Sequence, residues 1–329
     1  MIIMNRNTSP VSPFTEEDYK MAYQTTAENQ YPEVEIKRFK ENYQRLNKDF
    51  LVKNIELANG ADEWIQKLMI TFGQEGVLVL DPDFFMYQEY ASQLNCPIDF
   101  VASNEEFFFD IAKIVEKIES IKPKLFILSN PHNPTGVQFS EENLQTIADA
   151  VEKVDGYFTI DEAYIEFGQD YVRPEGDHVI ILRTMSKIYG MAGLRLGVIK
   201  ATGDTFNLLT KINHPYPINN LTLNLANSFL ENEDKVQAFL DYQLDSKTRL
   251  DKAFSGVSDL MQVIPSHANY VFTSGDLAIP LGSYLKDHGF LARFYEEKRL
   301  ENVVRYSIIK LEDYKLLETT ISNWRNTLD

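Results

Sequence analysis

The chain has 329 residues, enough for about two domains around a large buried core. Its 49 acidic side chains outnumber 32 basic ones for a net charge of −17, which excludes the basic face that a nucleic-acid-binding surface needs. Hydrophobic residues make up 44% and aromatics 12%, an ordinary globular composition, and no apolar run approaches the roughly 18 residues of a membrane span.

Residues 1–30 are polar, contain Pro, Ser and Thr, and predict an arm with one short helix. The opening Met1-Ile-Ile-Met4 is too short for the apolar core of a signal peptide. Tyr31-Pro32 leads into a helix from Val34 to Tyr43 or beyond. From Ile55 onward, short apolar runs alternate with helical stretches. The runs are Ile55–Ala58, Val77–Leu80, Leu125–Leu128, Tyr157–Ile160 and Val179–Leu182. The helices are expected at Trp64–Phe72, Tyr87–Leu94, Ile111–Ile118 and, capped by Ser140, Glu141–Val154. Continuous apolar strands alternating with helices predict an α/β fold, with a mainly parallel central sheet covered on both faces. In such sheets ligands bind beyond the carboxyl ends of the strands.

Around Pro215–Pro217 the pattern changes. Helices are expected over Leu221–Leu230 and Lys235–Phe254, the second stopping near Gly256. Strands then follow at Ala268–Phe272, Leu291–Phe294 and Val303–Ile308, before a terminal helix from Glu312 to about Trp324. This predicts a smaller α+β domain. The expected division is 31–221 for a large domain, with 1–30 and 222–329 forming the small one. Cys96 is the only cysteine, so no intrachain disulfide can form and a reducing, cytoplasmic setting is expected.

The strand ends carry the unusual side chains. After Val179–Leu182 comes Arg183-Thr-Met-Ser-Lys187, then Arg195 among Gly190, Gly193 and Gly197. A lysine there can serve as an amine nucleophile toward a carbonyl, and Thr184, Ser186 and Arg195 suit a phosphate beside it. A structural loop explains the same letters. Asp161, ending its strand in Asp161-Glu-Ala-Tyr164, can cap a helix or hold a protonated ring nitrogen. Tyr164 can donate a phenolic hydrogen bond or serve as a half-buried aromatic. Asn130-Pro-His-Asn-Pro-Thr-Gly136 is a rigid loop with two Asn-Pro bonds, either able to be cis. Within it His132 is expected as a loop filler. Gly60-Ala-Asp-Glu63 opens a helix whose free amides suit a phosphate, although its acidic residues also satisfy the helix dipole unaided. Phe84 is either core or a platform for a flat ring. Arg293 and Arg305 lie in apolar strands, where a guanidinium needs either a bound anion or an internal salt bridge. No GxxxxGK[ST] loop, GxGxxG after a strand, HExxH or CxxC is present, and the five histidines are scattered, so a metal site is not expected.

In order along the chain, Tyr31-Pro32, Gly60–Glu63, Pro82-x-Phe84-x-Met86-Tyr87, Asn130–Gly136, Asp161–Tyr164, Thr184–Lys187 with Arg195, and finally Arg293 and Arg305 resemble the fold-type-I pyridoxal-phosphate aminotransferases of classes I and II. The histidinol-phosphate aminotransferase branch is the most similar, and the resemblance covers nearly the whole chain. It implies pyridoxal 5'-phosphate as cofactor, joined to Lys187 as a Schiff base. It further implies that Asp161 keeps the pyridine nitrogen protonated, that Asn133 and Tyr164 bond the phenolic oxygen, and that Phe84 and Ala163 flank the ring. Ala61, Asp62, Thr184, Ser186 and Arg195 would surround the phosphate. Tyr31 would reach the cofactor phosphate of a partner subunit, making a homodimer with shared active sites. Arg305 would bind the substrate carboxylate, with Arg293 adding charge for a second anionic group and Asn133 touching the substrate. The reaction implied is amino exchange between histidinol phosphate and 2-oxoglutarate, in histidine biosynthesis. The same scaffold also supports aromatic or other amino-acid aminotransferases and phosphothreonine-type decarboxylases. The family carries a longer arm ahead of Asn5-Arg6-Asn7, and it commonly has tyrosine where Phe84 stands and a glycine after the position of Arg305.

Overall fold

The computed structural model describes residues 1–328. Strand β1 (Ile2–Ile3) opens the chain and pairs in parallel with Phe290–Leu291. Helix α1 (Glu16–Thr25) starts at a reciprocal cap, in which the Thr15 hydroxyl accepts from the Asp18 amide and the Asp18 carboxylate from the Thr15 amide. Helix α2 (Glu33–Leu46) follows.

The central sheet has seven strands: β2 (Ile55–Asn59), β3 (Val77–Asp81), β4 (Ile98–Ala102), β5 (Leu125–Ser129), β6 (Tyr157–Asp161), β7 (Val179–Thr184) and β8 (Leu196–Lys200). Their spatial order is β2-β8-β7-β6-β5-β3-β4. Strands β3 to β7 pair in parallel, whereas β8 runs antiparallel to both β7 and β2. Helices α3 (Ala61–Phe72), α4 (Met86–Gln93), α5 (Ile111–Ile121), α6 (Glu141–Glu152) and α7 (Gly203–Lys211) belong to this layer.

The two-residue period of a strand divides the sheet's apolar side chains between two cores. Leu125 and Ile127 join Trp64, Ile65 and Leu68 of α3 on one face. Phe126 and Leu128 join Leu144, Ile147 and Val151 of α6 on the other. Each such fully buried side chain stabilises the fold by about 1.5–3 kcal/mol. This two-sided burial is why these runs read as continuous apolar stretches.

Beyond the sheet, α8 (Asn220–Leu230) packs on α2 and α1. Helix α9 (Glu233–Ser255) is capped by Asn232 and ends at Gly256, as expected. A second, antiparallel sheet of order β12-β13-β10-β9 follows, from β9 (Gln262–Ile264), β10 (Tyr270–Ser274), β12 (Arg293–Phe294) and β13 (Val303–Ser307). Helix α10 (Ala278–Asp287) and strand β11 (Phe290–Leu291) lie between β10 and β12, and α11 (Tyr314–Arg325) closes the chain. The N-terminal segment is held against this region: the Met4 amide donates to Leu291 O of β11 at 2.8 Å and the Ser307 amide of β13 to Met4 O at 2.8 Å.

Strands β1, β4, β8 and β9 and helices α7 and α10 are additions to the sequence expectation. Helix α3 begins at Ala61, three residues earlier than periodicity alone marks it, because Gly60 (φ 82°) makes the turn from β2. Among the described residues no helix is long and apolar enough to cross a membrane, and no cluster of ligating side chains could hold a metal.

Candidate active site

Three adjacent parallel strands end in Ser129, Asp161 and Thr184, and the loop after the third carries Lys187. With the start of α3 they enclose a cavity of about 230 Å³. Its walls are Thr8, Ala61, Asp62, Phe84, Ser129, Asn133, Asp161, Ala163, Tyr164, Thr184, Ser186, Lys187, Ala192 and Arg195. Every cofactor residue expected from the sequence is therefore here except Tyr31. Tyr31 is exposed, its ring stacked on Tyr216 at 4.5 Å between centroids.

Asp161 sits at the floor. Its carboxylate accepts from the Tyr87 hydroxyl at 2.8 Å and from the Ala163 amide at 3.1 Å. Burial pushes its carboxyl up to about 6, while those hydrogen bonds and the Lys187 charge pull the other way. A buried carboxylate with one wall on a cavity is suited to a cationic partner. The Lys187 amine lies 5.5 Å from the Tyr164 ring centroid and makes no ion pair among the described residues. The Tyr164 hydroxyl accepts from Asn7 Nδ2 at 3.0 Å.

The opposite end of the cavity is an anion cradle. Arg195, in left-handed conformation (φ 54°), donates from Nη2 to Asp62 at 2.8 Å. The Thr184 hydroxyl donates to Ser186 Oγ at 2.9 Å and accepts the Ser186 amide at 3.1 Å. The first-turn amides of α3 have no intrahelical acceptor, a geometry that suits phosphate oxygens. Two glycines hold the cradle tight. A Cβ on Gly60 would lie 2.3 Å from Arg195 Nη2, and one on Gly197 would lie 2.3 Å from the Gly60 carbonyl carbon. The cavity thus presents a basic amine, a carboxylate, an aromatic wall at Phe84 and an anion cradle. That donor set matches a flat, cationic, phosphorylated ring bearing a carbonyl.

A second cavity of about 230 Å³ adjoins the first and shares Phe84, Asn133, Tyr164 and Lys187 with it. Arg293, Arg305, Arg6, Asn5, Asn7, Asp83, Phe85, Pro134, Tyr295, Glu297 and Leu300 complete it. Arg305 is buried, donates from Nη1 to Asn133 Oδ1 at 2.7 Å, and packs over the Tyr270 ring at 5.0 Å. Its Nε has no partner. The internal salt bridge that the sequence left open for Arg305 is absent among the described residues. Arg293 stands opposite Arg305 across the β12–β13 ladder but is exposed, so burial places no demand on it. Only its position in the cavity marks it.

Several participants were not legible beforehand. Tyr87, fully buried, holds Asp161. Asp83 is a second buried carboxyl, pushed well up by burial, that accepts from the Ser129 hydroxyl and the Phe84 amide. Ser129 Oγ in turn accepts the Asn133 amide at 2.9 Å, fixing the loop that presents Asn133. In that loop Asn130-Pro131 is the cis bond. His132 is buried and depressed to about 3 by burial. Its ring nitrogens lie 2.8 Å from Thr135 Oγ1 and 2.9 Å from Pro82 O, making it the structural filler expected. Behind the site, Glu162 pairs with Arg183 at 2.7 Å and Arg173 at 2.6 Å. Burial would lift the Glu162 carboxyl, but the two guanidiniums outweigh it and hold it below its ordinary value.

Comparison with known proteins gives concordant findings. The family described as aminotransferase class I and II matches residues 5–300. The histidinol-phosphate aminotransferase of Caldanaerobacter subterraneus subsp. tengcongensis is 32% identical over 286 residues, 85% of this chain and 80% of its own. Among solved structures, the histidinol-phosphate aminotransferase of Clostridium acetobutylicum superposes with a TM-score of 0.86 at 21% identity, covering 99% of this chain and 100% of that one. That of Sinorhizobium meliloti, in complex with pyridoxal-5'-phosphate, has a TM-score of 0.85 at 20% identity, covering 100% and 92%. At those identities the two structures establish a shared fold.

Proposed function

The chain belongs to the class I and II aminotransferase family, and from that premise we propose that it exchanges the amino group of histidinol phosphate with 2-oxoglutarate. It is a pyridoxal-phosphate-dependent enzyme acting on an amino donor and a keto acid. The observation that carries the substrate reading is the second cavity, where a buried arginine without a carboxylate partner borders Lys187.

Bound in the first cavity, pyridoxal phosphate supplies an electrophilic carbonyl and a ring that draws electrons from the donor's Cα. Lys187 provides the amine that anchors the carbonyl, and when free it takes the proton from the donor's Cα. Asp161, ionised against a cationic partner, holds a proton at the ring nitrogen. Tyr164 and Asn133 would hydrogen-bond the phenolic oxygen, and Phe84 and Ala163 would flank the ring. Arg195, Thr184, Ser186 and the amides of Ala61 and Asp62 hold the phosphate. Arg305, joined by Arg293, binds the anionic end of each substrate: the phosphate of the donor and a carboxylate of the acceptor, with Asn133 orienting Arg305. One pocket serving both substrates in turn requires ping-pong kinetics.

Tyr31 is exposed beside a surface groove that also includes Asn59, Leu194 and Tyr216. We assign it to the cofactor phosphate of a partner subunit, in a homodimer with shared sites. We divide the chain into a large domain at 31–221 and a small one at 1–30 and 222–329; in that reading the large one supplies every wall of the first cavity except Thr8, and both line the second. The enzyme belongs, in this reading, to cytoplasmic histidine biosynthesis.

The test is a panel of donors offered to the holoenzyme without acceptor. Histidinol phosphate should bleach the visible cofactor band fastest. Faster bleaching by phenylalanine or tyrosine would make it an aromatic aminotransferase. Carbon dioxide released from phosphothreonine would make it a decarboxylase.

A further inference from the structure

We infer that Arg6, on the N-terminal segment, is a third arginine of the donor cavity and selects phosphorylated donors over their uncharged counterparts. The inference rests on the donor reading above and adds a residue to it. Arg6 lies between two pinned neighbours. Met4 is tied on both sides, to Leu291 of β11 and to Ser307 of β13. Asn7 is buried in left-handed conformation (φ 54°), where its amide donates to Ser307 Oγ at 3.0 Å and its Oδ1 accepts from the same hydroxyl at 2.7 Å. Its Nδ2 donates to Tyr164 and its carbonyl accepts from Asn269 Nδ2, each at 3.0 Å. The backbone is therefore fixed on either side of a side chain that lines the cavity.

The Arg6 and Arg293 side chains are exposed, and among the described residues neither makes an ion pair or a hydrogen bond, Arg293 resting over the Tyr295 ring at 5.4 Å. Neither carboxylate of the cavity forms an ion pair with them among the described residues: Asp83 is buried and engaged with Ser129 and Phe84, and Glu297 accepts from the Glu296 amide, which leaves three guanidiniums against the single exposed Glu297 carboxylate. A second, independent observation points to a ligand. Three residues lining this cavity each carry a buried polar atom without a partner: Arg305 Nε, Tyr295 Oη and Asn5 Oδ1. Leaving such atoms unpaired is costly, so the cavity is shaped to receive hydrogen bonds. Two of the three can donate to an anion. A carboxylate carries one charge and is matched by Arg305 with Arg293. A phosphate monoester carries close to two charges and three acceptor oxygens, and it uses the third guanidinium.

The experiment compares kcat/KM for histidinol phosphate with that for histidinol in the wild-type holoenzyme, Arg6→Gln and Arg6→Lys. Arg6→Gln should lower the ratio about 10- to 100-fold, the size of one hydrogen bond to a charged group, and Arg6→Lys should restore part of it. Calorimetric binding of histidinol phosphate to the Lys187→Ala background should weaken by a similar factor when Arg6→Gln is added. A wild-type ratio near one would overturn the donor reading itself. A high wild-type ratio left unchanged in Arg6→Gln, or equal losses on both donors, would overturn the role of Arg6 alone.

Discussion

Replacing Asp161 by asparagine should stabilise the cofactor-free protein and, at the same time, ruin its hold on the cofactor. The buried carboxyl has moved from its ordinary 3.8 to about 6, a difference of about 2. At about 1.4 kcal/mol for each step, the ionised form costs the folded state about 3 kcal/mol. The sign follows from proton binding. The folded state holds the proton more tightly, so between about pH 4 and pH 6 the unfolded chain releases it first and stability falls. Above that window the whole cost remains. Asparagine keeps an oxygen for the Ala163 amide and a partner for Tyr87 but carries no charge. Urea unfolding of both apoproteins at pH 5 and pH 8 measures this directly. Asp161→Asn should be the more stable, with the gap widening toward about 3 kcal/mol at pH 8. With pyridoxal phosphate added, the order should reverse, because only the wild type has a charge to pair with the ring nitrogen. An apo variant less stable at pH 8, or a gap indifferent to pH, would refute the reasoning.

Two contrasts extend the same logic. Glu162→Gln removes the charge shared by Arg173 and Arg183 and should cost about 3–5 kcal/mol, seen as a lower urea midpoint at neutral pH. Arg305→Met breaks no ion pair among the described residues but loses the buried hydrogen bond to Asn133, so unfolding should change by no more than about 1–3 kcal/mol while turnover of anionic donors collapses; gross unfolding of this variant would contradict the assignment. Gly197→Ala would drive a methyl group to within 2.3 Å of the Gly60 carbonyl carbon, at the edge of the anion cradle. Fluorescence titration should find cofactor affinity sharply reduced, and an unchanged affinity would remove the cradle from the account.

The parallel strands were legible because two-sided burial makes them almost continuously apolar, with Thr159 the exception in β6, so Asp161 and Thr184 stand out as polar residues at the strand ends although both are buried. Strand β4 was hidden by its edge position, where only Val101 of Ile98–Ala102 is buried. Strand β8 was read as part of the glycine-rich stretch, since Gly197 serves both. Helix α10 contains Pro280 and Gly282, poor helix formers that its packing against β13 overrides. In the site, the anchoring lysine and the cradle were implied by the resemblance to the class I and II aminotransferases, whereas the residues alone left a structural loop equally open. Tyr87 beneath Asp161, the Asp83–Ser129 bond and Arg6 in one cavity with Arg305 were not foreseen, because each brings together residues distant in sequence that carry no periodic signal.

The most direct test of the central claim is borohydride reduction of the holoenzyme followed by peptide mass mapping. The account predicts a pyridoxyl adduct on the peptide containing Lys187, lost in Lys187→Ala. An adduct on any other lysine, or none in a protein saturated with cofactor, would contradict it.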